Sequence, residues 1–309
     1  MSIGIVTVSG DTHAYFVATR LASSRHVKCH VFETDLLSRE QYFSIRFDGP
    51  AILTDALGAK VDIAELGVCW WRRIAKAQTA SREIECSRLR DVIDSSCIDG
   101  IRGAFTLGFS GNFISDPIRS IIAENKVLQL QAASEMGLRI PKTLVSNNAT
   151  QIGDFLASLP NEIAVAKALG RTSSIIDAKK MSFKELNLEE AATVPTIYQE
   201  YIEGCRHIRT NVFGDQAVSV LIETEMVDWR RQVPNQLQAI DLPTDLERRL
   251  VGVLEILGLR MGIFDLEVTS EGEFVFLEVN PQGQFLFAEP LAQIPLTDIF
   301  ADFLIANHR

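Results

Sequence analysis

Two apolar runs near the C-terminal end, Met261–Val268 ("MGIFDLEV") and residues 274–287 ("FVFLEVNPQGQFLF"), flank the turn-rich "TSEGE" and carry acidic residues at alternate positions. Runs this apolar form buried strands, and so short a polar link closes them into an antiparallel hairpin. With Glu271 and Gly272 as a two-residue loop, Ser270 faces Glu273 and Asp265 lies directly opposite Glu278. Alternate residues share a face. Asp265, Glu278 and Asn280 therefore cluster on one side, while Phe264, Leu266, Val268, Val275, Leu277 and Val279 form an apolar face on the other. Opposed carboxylates repel each other, so a cation is required between them. Two carboxylates and an amide oxygen suit Mg²⁺, a hard ion that takes few protein ligands and keeps room for water and phosphate. A solvated charged face fits less well, because the flanking residues are too apolar for a strand exposed on that side.

Composition sets the outer limits. The 309 residues suffice for two or three packed units, and 47% hydrophobic with 23% charged residues is ordinary for a soluble enzyme. A formal net charge of -10 argues against an extended nucleic-acid surface. No stretch is long enough to span a membrane, and "MSIGIVTVSGD" lacks the basic start and cleavage site of a signal peptide, so a cytoplasmic protein is expected. Cys29, Cys69, Cys86, Cys97 and Cys205 are odd in number and form no C-x-x-C pair, which supports neither a disulfide framework nor a zinc site.

The chain alternates strand and helix. Strand-like 3–9, a helical pattern over 12–24 and strand-like 27–33 make a βαβ opening. Further strands fall at 42–47 and 67–72, with a long helix over about 81–107, so a small α/β domain ends near Asn112. Neither a G-x-G-x-x-G fingerprint nor a P-loop follows the first strand. Asp116 and Pro117 start a helix that Gly137 and Pro141 close. A strand over 142–147, a helix over 149–159 and the strand "EIAVAKALG" follow; the last holds Lys167, costly in a buried strand unless it meets an anion. Lys126 gains meaning only beside Lys167. In "IYQEYI" a linker strand offers backbone N–H and C=O groups to an adenine edge, or is simply the edge of a sheet. Arg209 alternates with apolar neighbours, and Arg230 follows Trp229 in "VDWRR"; arginine suits a bidentate grip on phosphate or carboxylate.

From Asp116 onward, the ordered set "ENKVLQLQAASEMGLRIPKTLVSN", "VAKALG", "YQEYIEGCRHIR", "VDWRR", "GIFDLEV" and "FLEVNPQGQF" resembles the ATP-grasp superfamily, and especially the maturases that macrocyclise microviridin-type (graspetide) peptides. "VCWWRRIAK" (68–76) is similar to a signature of those maturases' first domain. The resemblance implies an α/β (α+β) protein with an N-terminal pre-ATP-grasp domain (1–112), a central lid domain (113–197) and a C-terminal antiparallel-sheet domain (198–309). It also implies that Lys126 and Lys167 hold the phosphates of ATP and that the backbone around Gln199, Glu200, Tyr201 and Ile202 holds adenine. Glu203 would take ribose, Asp265, Glu278 and Asn280 would take Mg²⁺, and Arg209 and Arg230 would grip the transferred phosphate. Two departures stand out: the covering loop "GRTSS" is poor in glycine, and His207 stands where related ribosomal-protein glutamate ligases place an aspartate.

The implied activity is an ATP-dependent ligase working through an acyl phosphate, with a ribosomally made precursor peptide as substrate and a homodimer as the assembly. A ligase joining an amino acid or small acid to an amine is the alternative, and a neighbouring gene for a short peptide rich in threonine and acidic residues separates the two. A nucleotide-binding module without turnover is disfavoured, because nothing would preserve mutually repelling carboxylates.

Overall fold

The computed structural model describes residues 1–37, 41–74, 84–169, 179–182, 187–224, 226, 229 and 236–309. The chain divides into two compact units, one of residues 1–117, 284–289 and 295–309, the other of 118–283 and 290–294.

In the first unit β1 (Ser2–Thr7), the helix Thr12–Arg25 and β2 (Lys28–Glu33) form the βαβ opening. Next come β3 (Phe43–Ile45), β4 (Ala51–Thr54) and β5 (Lys60–Asp62), a small antiparallel sheet of which only the first strand is legible in the sequence. β6 (Val68–Trp71) and β7 (Asn112–Ile114) complete a parallel sheet of order β2-β1-β6-β7. The long helix begins at Ser87 rather than 81 and runs to Gly108, packing Ile101, Ala104 and Phe105 into a core with Val6, Phe32 and Trp71. Arg72, just past β6, is buried rather than solvated. Its Nε donates to Asp11 Oδ2 at 2.6 Å, and its guanidinium lies 5.0 Å from the centre of the Trp70 ring. Burial raises the Asp11 carboxyl, but the hydrogen bond and charge of Arg72 outweigh it and hold the group below its usual range.

The second unit holds two sheets. β8 (Thr143–Ser146), β9 (Ile163–Ala168), β10 (Lys179–Ser182) and β11 (Thr196–Glu200) form an antiparallel sheet of order β10-β9-β11-β8. The helix Ala149–Ala157 covers it, with Ile152 and Leu156 against Ala164 and Tyr198. β12 (Arg206–Phe213), β13 (Gln216–Glu223), β14 (Gln238–Ile240), β15 (Met261–Val268) and β16 (Phe274–Asn280) form the other, in the order β14-β13-β12-β15-β16. One face of this sheet is buried under Leu250, Val253 and Leu254 of the helix Thr244–Leu257 and Leu130 and Ala133 of the helix Lys126–Glu135.

Two local expectations change. The helix entered at Pro117 ends at Ala123, and a second begins at Lys126, because Asn125 interposes an N-cap whose side chain accepts from the Val127 N–H at 3.0 Å. The hairpin loop is three residues, Ser270–Gly272, not two. Thr269 N–H bonds Glu273 C=O at 3.0 Å, and Gly272 takes a φ of 84° that an L side chain disfavours. That one-residue slip is reversed by a bulge between Asp265 and Leu266, which restores Asp265 opposite Glu278. The bulge also swaps faces on β16: Phe276, not Val275 or Leu277, joins Phe264, Leu266, Val268 and Val279 in the core.

Candidate active site

The opposite face of the five-stranded sheet brings Arg209, Asp265 and Glu278 into one transverse row. Arg209 on β12 pairs in register with Asp265 on β15, and Asp265 with Glu278 on β16. Arg209 Nη1 donates to Asp265 Oδ1 at 2.7 Å, and Lys126 Nζ donates to Glu278 Oε2 at 2.8 Å from the first turn of its helix. The carboxylates that the pattern sets against each other thus already face an arginine and a lysine. One step along, Asn280 lies on the same face, and its Oδ1 accepts the Gln282 N–H at 3.1 Å. Trp229 lies under Arg209, 5.2 Å from ring centre to guanidinium carbon, a cation–π contact that fixes the guanidinium plane.

β16 is the edge of the sheet, so its outward N–H groups need partners from elsewhere. The Arg139 carbonyl takes the Phe276 N–H at 2.8 Å, and Gln129 Oε1 takes the Val279 N–H at 3.1 Å while its Nε2 donates to Ala123 C=O at 2.7 Å. Gln129, buried and between the two proposed ligand positions of β16, escapes notice in the sequence because a helical glutamine normally faces water.

In the four-stranded sheet Lys167, half-buried on β9, pairs with Ile197 of β11. β11 is not an edge: it lies between β9 and β8, with Gln199 facing Val165 on one side and Thr143 on the other. The Gln199 side chain also donates to Thr143 Oγ1 at 3.1 Å, and the Glu200 N–H bonds the Lys142 carbonyl at 2.8 Å. The expectation of open backbone throughout "IYQEYI" therefore fails for Gln199. The ladder stops at Glu200, and residues 201–204 continue outside any strand. Tyr201, Ile202 and Glu203 line a cavity of about 170 Å³ with Ile163 of β9 and Thr269 of the hairpin. Burial, with the Glu267 and Glu203 carboxylates nearby, raises the Tyr201 phenol above its ordinary range. Arg230 and the covering loop 170–174 lie outside the described residues.

A sheet that carries paired acids beside an arginine, a second sheet that carries a lysine, and a short connector between them are the arrangement that the ATP-grasp resemblance implies. No family model and no curated protein matches the sequence. Among solved structures, the macrocyclase MdnC of Microcystis aeruginosa, bound with the precursor peptide MdnA, superposes with a TM-score of 0.89 at 26% identity, over 99% of this chain and 100% of that one. MdnB, a macrocyclase of the same organism, gives 0.83 at 25% identity over 98% and 99%. A RiPP-associated ATP-grasp ligase of Chryseobacterium gregarium, in complex with ADP and a leader and core peptide, shares the fold at a TM-score of 0.88 and 20% identity, over 100% and 97%. The chain has the ATP-grasp fold in the form of these RiPP macrocyclases, as the motif order implies. No described helix is long and apolar enough to cross a membrane.

Proposed function

We propose that this protein is an ATP-dependent ligase that closes rings in a ribosomally made precursor peptide, joining acidic side chains to hydroxyl or amine side chains as esters or amides. The observation that carries the reading is the row Arg209–Asp265–Glu278–Lys126, which sets two carboxylates against two cations on one sheet face. The donor set fits magnesium: Asp265, Glu278 and Asn280 offer hard oxygen atoms on one side of adjacent strands. Magnesium bound there supplies charge neutralisation at the phosphates.

Lys126 and Lys167 supply the cationic side chains for the ATP phosphates, and the backbone of 200–202 takes the adenine edge. A substrate carboxylate oxygen takes the γ-phosphoryl group, ADP leaves, and the carboxyl carbon is now an acyl phosphate. Arg209, with Arg230 of the same proposal, holds that phosphate by bidentate hydrogen bonds. A hydroxyl or amine then attacks the carbonyl, loses its proton and expels phosphate, so each ring costs one ATP and removes one water. Residues 113–197 would form the lid-bearing part and 198–309 the metal-bearing part. By the same resemblance the enzyme acts in the cytoplasm as a homodimer, to be checked by sedimentation. Mass spectrometry of acidic, threonine-containing candidate peptides after incubation with ATP and Mg²⁺ tests the reading. Loss of one water per ring with matching ADP supports it; a free amino acid consumed in place of peptide would move the chain to the amino-acid ligases.

A further inference from the structure

Asn211 takes no part in the reading above, yet it is fully buried on the charged face of β12, two residues past Arg209 and so roughly 7 Å further along the strand. Its Nδ2 donates to the Val218 carbonyl at 3.2 Å. That contact fixes which end of the amide is which, because an amide oxygen does not face a second carbonyl oxygen. Oδ1 is left as a buried acceptor with no hydrogen-bond partner among the described residues. Buried polar atoms without partners are rare. Donors of the same strand are engaged: the backbone of β12 is paired with β13 on one side and β15 on the other, and Arg209 donates to Asp265.

A buried acceptor is answered by a cation or by a donor. Place argues against magnesium: Asn280, the amide of the proposed metal set in the same row, lies two strands away, roughly 10 Å, with Ile263 between them in register. Over Ile263 the loop after β16 comes down so closely that a Cβ on Gly283 would stand 2.6 Å from Ile263 Cγ1. The charge of Arg209 on the other side of Asn211 repels a second cation. The partner is therefore a donor. In the proposed reaction the phosphates and the activated carboxylate present acceptors, and the base and sugar belong at the connector end of β12, before Arg209. The reactant left is the hydroxyl or amine that closes the ring.

We propose that Asn211 Oδ1 accepts the hydrogen bond of this attacking hydroxyl or amine and holds it against the acyl phosphate that Arg209 grips. The proposal rests on the ligase reading. The held oxygen or nitrogen forms its bond to the acyl carbon, the bond from that carbon to the phosphate oxygen breaks, and the proton leaves with the phosphate. A neutral amide oxygen is too weak a base to keep that proton, so Asn211 orients the nucleophile and does not deprotonate it. The amide is enclosed, so the substrate enters by displacing a side chain beside it, and Trp229, over the neighbouring Arg209 guanidinium, is placed to yield.

Partition of the acyl phosphate tests it, in the intact protein with ATP, Mg²⁺, an acidic, threonine-containing peptide that the wild type cyclises, and hydroxylamine. Hydroxylamine in excess attacks the acyl phosphate from solution and gives a hydroxamate, so hydroxamate reports activation and rings report attack, both read by mass spectrometry. Asn211→Leu keeps the volume and removes the acceptor. It is expected to lower the ratio of rings to hydroxamate by about tenfold or more, the worth of one oriented hydrogen bond, and to raise the ADP spent per ring. A ratio equal to that of the wild type overturns the proposal and leaves the ligase reading standing, whether both products fall together, as a structural role or a bound water would have it, or neither falls. A wild type that forms neither product from any candidate peptide overturns both. Should Asn211→Leu fail to fold, judged by its melting temperature, Asn211→Ser, which draws the oxygen back, is read in the same way.

Discussion

At the scale of single residues, the site is governed by charge balance on one sheet face. Asp265 and Glu278 each face a cation of the chain, so removing a carboxylate takes a counter-charge from Arg209 or Lys126 as well as an oxygen from the proposed magnesium site. The amide variants keep shape and hydrogen bonding but not charge. Asp265→Asn and Glu278→Gln are each expected to lower ADP production by roughly two orders of magnitude or more while the circular dichroism spectrum is unchanged; full activity in either would remove that residue from the metal site. Lys167, on β9 opposite Ile197, is proposed to hold the ATP phosphates. Lys167→Ala should weaken ATP binding in calorimetry by roughly tenfold, the loss of one charged contact. These carboxylates and Lys167 are the part of the site most legible in the sequence, because a charge inside an apolar run is costly and so announces a purpose. The buried pair of Glu267 with His207 is not legible in that way, because its two members stand sixty positions apart and only the strand register brings them opposite each other.

At the scale of elements, strand order and register are what turn scattered charges into a row. The opposition of Asp265 and Glu278 follows from simple alternation, but the route to it does not. A longer loop and a compensating bulge cancel, and two cancelling slips leave no trace in the hydrophobic pattern. The two short strands over 51–62 are hidden for a different reason, since runs of three or four residues fall below the window in which periodicity can be read. The break between Ala123 and Lys126 is marked by Asn125, a good N-cap that apolar periodicity alone overrides. Gln129 braces β16, and Gln129→Leu leaves the buried Val279 N–H without that acceptor. A destabilisation of about 1–3 kcal/mol is expected in urea unfolding. Activity measured well below the transition should fall as well, because β16 carries Glu278 and Asn280 on either side of Val279; undiminished turnover would show that the brace serves stability alone.

At the scale of the molecule, the first unit is held by a buried charge pair that owes nothing to nucleotide chemistry. Arg72, whose burial lowers its pKa below the usual value, is fully enclosed at its side chain and meets Asp11, the cap of the helix Thr12–Arg25. Taking away one partner of such a pair leaves the other as an uncompensated buried charge, whereas an apolar replacement of both can be nearly neutral. Arg72→Met is therefore expected to cost about 3–5 kcal/mol at neutral pH. The pH dependence follows from the Asp11 carboxyl, which is held below its ordinary value of 3.8 in the folded chain. A carboxyl depressed by folding stabilises fully above that unfolded value and loses its contribution as pH falls through the lower, folded one. In the Arg72→Met variant the two largest lowering influences are gone, and burial, opposed only by the Thr7 hydrogen bond and the Arg73 charge, shifts Asp11 toward the neutral form. The stability gap between wild type and variant should accordingly be widest near pH 7 and narrow once the pH drops below about 3.8, where Asp11 is protonated in the unfolded chain and progressively in the folded one. Urea unfolding of both proteins at pH 7 and again near the acid limit measures it, and a gap that stays constant would mean that Arg72 acts through its packing on Trp70 rather than through its charge.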